Sequence, residues 1–448
     1  MTSAVPRLLL ALALILAGAI RPYAQQPGAA TLLRAQRLLD PAAGVYRPAQ
    51  GLLIRGTTIA EVGPFAEVKA RAPKDVQLID LGPATVLPGL IDVHAHLLDA
   101  MEGQWSPGDA IILTVARLGP AARALLGAAN AREVLEGGFT TVRNLGHSGL
   151  DGDAALRDAI AAGWVRGPRV LAATRKITPP GGQAVALRLD GLDALIRHEF
   201  LPISGAEEAR RAVRDALAAG ADVIKIVVDD RKRVLTRAEI AAIVEEARRG
   251  GVKVAAHATS EAAVRAAVEE AVDSIEHGDE ASDETLRLMR DRKRILVPTL
   301  WSAAGLRDVY LPPYRGTPGE AAVEAAIKDY VETARKRVQR AIAAGVRIAA
   351  GSDMWFRYPG KTRGEATHVM FDGLQAAGLP APDVVRAATT VAAELLGWQD
   401  RIGSLEKGKL ADVIAVDGDP LADAKSLSRV TFVMKDGTVI VDKGRARQ

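Results

Sequence analysis

Residues 88–97 read PGLIDVHAHL. Behind the Pro88-Gly89 break, Leu90 to His96 is a short β-like run carrying histidines at 94 and 96. Side chains two apart on a strand project from one face, so both imidazoles point the same way. Two imidazoles on one face make half of a site for a borderline metal ion. Seven more short β-like runs follow: Thr140–Leu145, Arg169–Thr174, Asp222–Val228, Lys253–Ala258, Ser274–His277, Ile295–Leu300 and Arg347–Ser352. Between most of them lie Ala/Glu/Arg-rich stretches with helical spacing, among them Ala206–Ala219, Arg237–Arg249, Glu261–Ala271 and Asp283–Arg290. Eight strands alternating with helices predict an α/β protein, a closed parallel (β/α)8 TIM-like barrel over residues 90–399. A doubly wound open sheet is the competing architecture, but no strand runs into a Gly-rich phosphate loop.

The flanks have a different texture. TLLRAQRLLD, GLLIRGTTIAEVG and VQLIDLGPATVLPG before the barrel, and IGSLEKGKLADVIAVDGDP and RVTFVMKDGTVIVDKG after it, alternate apolar and polar residues between Gly, Asp-Gly and Pro breaks. These are hairpin signals. Residues 31–89 and 400–448 are therefore expected to build one small, β-sandwich-like domain from both ends of the chain. Further out, Arg7 precedes an apolar run of thirteen residues, Leu8 to Ile20, with small residues at its end. That is the pattern of a secretory signal peptide, residues 1–24, cleaved after Ala19 or Ala24, and too short to span a bilayer. The expected location is exported, periplasmic or secreted, with no stable membrane anchor after cleavage.

Composition agrees with a large globular chain: 448 residues, 48% hydrophobic and 25% charged. The 58 Lys and Arg against 54 Asp and Glu are scattered, so no nucleic-acid partner is expected. With no cysteine at all, disulfides, Cys-zinc sites and thiol catalysis are excluded. Homo-oligomerisation is left open.

Four of the seven histidines end predicted strands: His94, His96, His257 in KVAAHAT and His277 in SIEHG. The carboxyl ends of barrel strands converge on one face, where active sites form. Any one of these could be a hydrogen-bonded core residue, but four at corresponding strand ends argue for a site. Lys225, inside the apolar run DVIKIVV, would be costly to bury as an unpaired ammonium. Asp353 closes the last strand in RIAAGSDM and, alone, could equally be a helix cap.

These motifs together resemble the metal-dependent amidohydrolase superfamily, in particular its imidazolonepropionase-like and Xaa-Pro dipeptidase-like branch. The resemblance is carried by PGLIDVHAHL, the lone Lys225 in IKI, AHAT (256–259), IEHG (275–278), GSD (351–353) and the tail GSLEKGKLADVIAVDGDP (403–420). It covers essentially the whole chain beyond the leader. It implies that His94, His96 and Asp353 bind one divalent ion and that His257 and His277 bind a second. Carbon dioxide, held as a carbamate on Lys225, would bridge the two. Zinc is the expected metal, with manganese, cobalt or iron compatible with the same donors. The metals would acidify a shared water, and Asp353 would pass its proton to the leaving amine.

The resemblance thus implies an exported metal-dependent hydrolase of a peptide-like or N-acyl amino acid amide. Open alternatives are hydrolysis of a cyclic amide or lactone, a lyase on the same scaffold, or a non-catalytic metal-binding barrel. For the substrate side, the candidates are Arg143, His147, Arg231 and His368. Arg143, Arg175, Lys176 and the run Arg231–Arg233 follow strands two, three and four, where arginines could clamp a free carboxylate on the substrate. The competing reading is a merely solvated rim. His147 could be a substrate contact or a loop residue, His368 could face the mouth or the surface, and His198 is read as structural. The loop VVDDRKRVLTRAEI is short and charged where many relatives have a longer Gly/Ser-rich one, which weakens any dipeptide assignment.

Overall fold

The computed structural model describes residues 30–101, 107–183, 192–356 and 358–444; the expected signal peptide lies outside the described residues. The barrel strands are β1 (Leu90–Ala95), β2 (Phe139–Asn144), β3 (Arg169–Ala172), β4 (Val223–Val227), β5 (Lys253–Ala258), β6 (Ser274–His277), β7 (Ile295–Val297) and β8 (Arg347–Ile348). All pair in parallel: β1 with β2, β2 with β3, and β4 through β8 in sequence. Between β3 and β4, the Asp222 amide donates to the Ala172 carbonyl at 2.7 Å, and Lys176–Thr178 adds a short parallel rung beside β4. The barrel closes where Val93 donates to Ala350 (3.0 Å) and Asp353 to the His94 carbonyl (2.7 Å). Asp92 reinforces this seam, accepting from the Ser352 amide at 3.0 Å and from its hydroxyl.

Two strands stop three or more residues short of the sequence prediction. β7 stops at Val297 rather than Leu300, and β8 at Ile348 rather than Ser352. Thr299 and Asp353 take left-handed backbone, with φ of 50° and 48°, which breaks the pleat. Gly351 lies just before this turn. A Cβ there would sit 2.7 Å from the His94 Cβ and 2.5 Å from Val297, so only glycine lets the end of β8 press against β1. The barrel wall is filled by small and branched residues such as Ile224, Ile226, Ala256, Ile275 and Leu296, all fully buried.

The flanking segments form one mixed eight-stranded sheet. Its order runs Thr438–Asp442, Val430–Lys435, Val413–Val416, Thr85–Pro88, Thr31–Asp40, Val45–Arg55 and Thr58–Pro64, with Gln77–Asp80 beside Thr31–Asp40. The chain's two ends meet where Val413–Val416 pairs antiparallel with Thr85–Pro88. The sheet bends over on itself. Ile54 and Ile59 near one end share a core with Phe432 and Met434 near the other, and Gly437 donates to the Ala411 carbonyl. Arg169 of the barrel binds Asp412 and Asp436 of the sheet, tying the two parts together.

Candidate metal centre and active site

The strand ends bring the four histidines together. His94 and His96 are ring neighbours at 5.3 Å, His94 and His277 at 5.5 Å, and His257 and His277 at 4.6 Å. Asp353 reaches back over β1, its Oδ1 lying 3.0 Å from His96 Nε2 and 3.5 Å from His94 Nε2. These three residues offer ligand atoms that all lie within 4.8 Å of one another. Neighbouring oxygens hold the far side of three rings. His94 Nδ1 meets Glu276 at 2.8 Å, His96 Nδ1 meets the Gly146 carbonyl at 3.1 Å, and His277 Nδ1 meets the Thr299 hydroxyl at 2.8 Å. Such partners fix ring orientation and leave Nε2 with its lone pair for a metal. Burial depresses all four imidazoles, His96 to about 4 and His257 to about 3, so they stand neutral, as ligands must.

Lys225, at the centre of β4, is 2% exposed, and its Nζ has no hydrogen-bond partner. Burial pushes its ammonium down to about 8, against the pull of the Glu276 and Asp353 charges. Its cation is in turn the next-largest cause, after burial, of the lowered His94 and His257 values, which places it among the imidazoles. A buried amine with no partner, encircled by neutral ligands, fits a carbamate bridging two ions. The backbone pays a cost at this rim. His147, Thr174, Arg231, His277, Thr299 and Asp353, all following or ending strands, have positive φ. Strain of this kind clusters where function over-determines geometry.

The structure places two of the substrate-side candidates, Arg143 and His368, away from the mouth. Arg143 is on β2 itself, not in a mouth loop, and is 1% exposed. Its donors are used inside the barrel, on the Val93 carbonyl, Ser274 Oγ (3.1 Å) and Glu276 Oε1 (2.8 Å). It holds the carboxylate that orients His94, and its guanidinium is turned into the barrel. His368 neither faces the mouth nor lies on the surface. It is buried beside Phe139 and Phe371, with Nε2 2.8 Å from the Gly137 carbonyl ahead of β2, at the opposite end of the barrel. Arg231 sits exposed at the tip of a hairpin made by Asp229–Asp230 and Arg233–Val234, where no described residue holds it. Within that run Arg233 is bound to Asp230 and to the Gly181 carbonyl. Arg175 is half-buried and donates to the Arg197 carbonyl at 3.1 Å.

His147 does belong to the site. Its ring packs edge-on against His96 at 4.5 Å and stacks on Trp355 at 5.9 Å. Its Nε2 lies 3.0 Å from Lys176 Nζ. Lys176, read from sequence only as a loop cation, is buried, and burial first, then Lys225, brings its ammonium down to about 7. It donates to Gln183 Oε1 (2.8 Å), whose amide nitrogen is 3.3 Å from His257 Nδ1. Glu276 is the other residue missed, although a lone carboxylate inside SIEH carried the same buried-charge signal as Lys225.

Sequence comparison matches residues 85–440, the whole barrel with these histidines and Asp353 at its carboxyl face, to the amidohydrolase family, a class of hydrolases. The chain belongs to that family. Residues 51–74 also match the bacterial imidazolonepropionase-like composite domain. The ochratoxinase of Aspergillus niger is 28% identical over 438 residues, covering 91% of this chain and 86% of that protein. Its crystal structure superposes with a TM-score of 0.77, covering 94% and 97% of the two chains at 26% identity. An imidazolonepropionase of Symbiobacterium thermophilum is 27% identical over 445 residues, 93% of this chain and 95% of that one. A Xaa-Pro dipeptidase structure with bound methionine is 30% identical, with a TM-score of 0.73 over 92% and 99% of the chains.

Proposed function

We propose that this hydrolase cleaves an amide bond of a small molecule, of peptide-like or N-acyl amino acid type, at a centre of two divalent ions. His94, His96 and Asp353 would hold one ion, His257 and His277 the other, and a carbamate on Lys225 both. The single observation that carries this reading is the buried, partnerless Lys225 amine among four neutral imidazoles. Bound there, divalent ions would supply acidification of a water and polarisation of the substrate carbonyl.

The chain's own groups do the rest. Glu276, held by Arg143 and Ser274, keeps His94 turned toward Asp353. Burial would raise the Asp353 carboxyl, but the neighbouring His94 and His96 outweigh it and hold it well below the ordinary range. It is thus ionised at neutral pH, able to take a proton on Oδ1 and return it to the departing nitrogen. Zinc is the metal proposed, and export of the chain is proposed on its leader.

The test is an amine-release assay against a panel of amides and lactones, run beside elemental analysis. About two ions per chain and release of amine are expected. Lys225→Ala that retained full metal and activity would remove the carbamate. Lactone cleavage without amide cleavage would remove the amide reading.

A further inference from the structure

Beside the metal ligands opens a cavity of about 580 Å³, with Asp353 and His277 on its wall. Its volume lies within the range of sites for drug-sized ligands, well above what a two-residue peptide needs. The chain has only five Trp, six Tyr and six Phe, yet this cavity is lined by Trp301, Tyr310, Tyr314, Tyr330, Trp355 and Phe356. The segment between β7 and β8 supplies most of that wall, through helix Ala303–Tyr310, the turn Pro312–Tyr314 and helix Glu320–Ala344. Trp301 and Phe356 form an edge-to-face pair at 5.4 Å, as do Tyr310 and Phe356. Trp301 is anchored by its indole N–H on the Ser352 carbonyl, one residue from Asp353. Tyr314 and Tyr330 remain 41% and 43% exposed.

The charge in the cavity is already satisfied. Arg337, the one arginine among the described lining residues, is 6% exposed, is paired with Asp279 and donates to the Pro298 carbonyl at 3.0 Å. Arg143 is likewise occupied, inside the barrel. The Tyr310 hydroxyl is held above the ordinary phenol value by burial and then by the Asp353 charge, so it stays a neutral donor. An uncharged aromatic surface with phenolic hydroxyls suits a flat ring system bearing, at most, neutral oxygen acceptors.

We infer that this cavity binds an uncharged bulky aromatic or fused-ring group attached directly to the scissile amide. The inference rests on the proposed amide hydrolysis and names its substrate class. The experiment uses the zinc-loaded enzyme and two matched pairs, N-acetylglycine against N-(2-naphthoyl)glycine and acetamide against N-(2-naphthyl)acetamide. In at least one pair the naphthyl member should have a kcat/KM at least tenfold higher. Binding of 2-naphthamide is measured in parallel by calorimetry, which needs no turnover. Val323→Trp, which fills the cavity from helix Glu320–Ala344, should weaken that binding at least tenfold. Tyr330→Ala, at an exposed position that folding tolerates, should weaken it several-fold. Ratios near one in both pairs, or naphthamide binding unaffected by either variant, would overturn the inference. Retained, variant-sensitive naphthamide binding with every amide inert would instead overturn the hydrolase reading and uphold the ligand class.

Discussion

Removing Arg143 tests whether the barrel interior is an ion-pair scaffold for the metal site. Arg143 and Glu276 are 1% and 0% exposed and 2.8 Å apart. At an effective dielectric of about 20, their attraction is about 6 kcal/mol, most of it offset by the desolvation of both charges. Arg143→Met leaves the Glu276 carboxylate buried with only Ser274 and His94, and Glu276→Gln leaves the guanidinium uncompensated. Each should cost about 3–5 kcal/mol, the usual penalty for breaking a buried pair. The double variant Arg143→Met/Glu276→Leu should regain most of that loss, since both charges leave together. Its zinc affinity should stay down by about 10–100-fold, because His94 has lost the oxygen that orients it. Urea unfolding in chelator gives the stability arm, and competition with a chromogenic chelator gives the zinc arm. A double variant as unstable as the sum of its singles would refute the pairing. Parent-like zinc affinity in the double variant would refute the orienting role.

The other tests are shorter. Asp353→Asn should keep much of the bound metal through the remaining ligands while losing about 10²–10⁴ in kcat; equal loss of metal and rate would make it a ligand only. His368→Leu should lower stability by about 1–3 kcal/mol by orphaning the Gly137 carbonyl, and leave kcat/KM unchanged; a drop in kcat/KM would return it to the substrate side. Gly364→Ala should be destabilising by about 1–3 kcal/mol in thermal unfolding, because its Cβ would meet the Glu133 carbonyl oxygen at 2.3 Å. Burial raises the Glu239 carboxyl, but the N–H groups of Gly205 and Thr236 outweigh it and hold it low. A depressed folded value contributes stability above the unfolded pKa of about 4.3 that is lost as pH falls through the folded one. Glu239→Gln should therefore lower Tm at pH 7 and flatten its fall below pH 4.3; parallel Tm curves for parent and variant would remove this contribution.

The strand ends were legible in sequence because each candidate histidine lies at or near the end of an apolar run, a pattern that survives without knowledge of packing. His94, His96, His257 and His277 meet as their positions suggest, and Lys225 stood out as a charge inside a strand. Arg143 was misplaced although the same test applies to it. It lies within the strand FTTVRN, and its partner Glu276 lies within SIEH, but no local signal says that strands two and six face each other across the barrel. His368 was unreadable for a similar reason. The helix pair carrying it packs toward the Gly137 end, and sequence spacing does not say which end of a barrel a following helix touches. The aromatic cavity is assembled from three separate segments with no shared motif, so it emerges only from the fold.

The meeting of Val413–Val416 with Thr85–Pro88 has a consequence in time. The register pairs Val413 with Pro88, so about 325 residues separate partners in one ladder. The five leading strands can zip locally as they emerge, yet Thr85–Pro88 keeps an open edge until the far partner has been made. At ~5–20 residues per second of synthesis, that wait is roughly 15 to 65 s. An edge bare for so long invites pairing with the wrong strand. The chain's slowest and most error-prone event is therefore expected where its two ends shake hands, rather than in the barrel whose strands arrive in order.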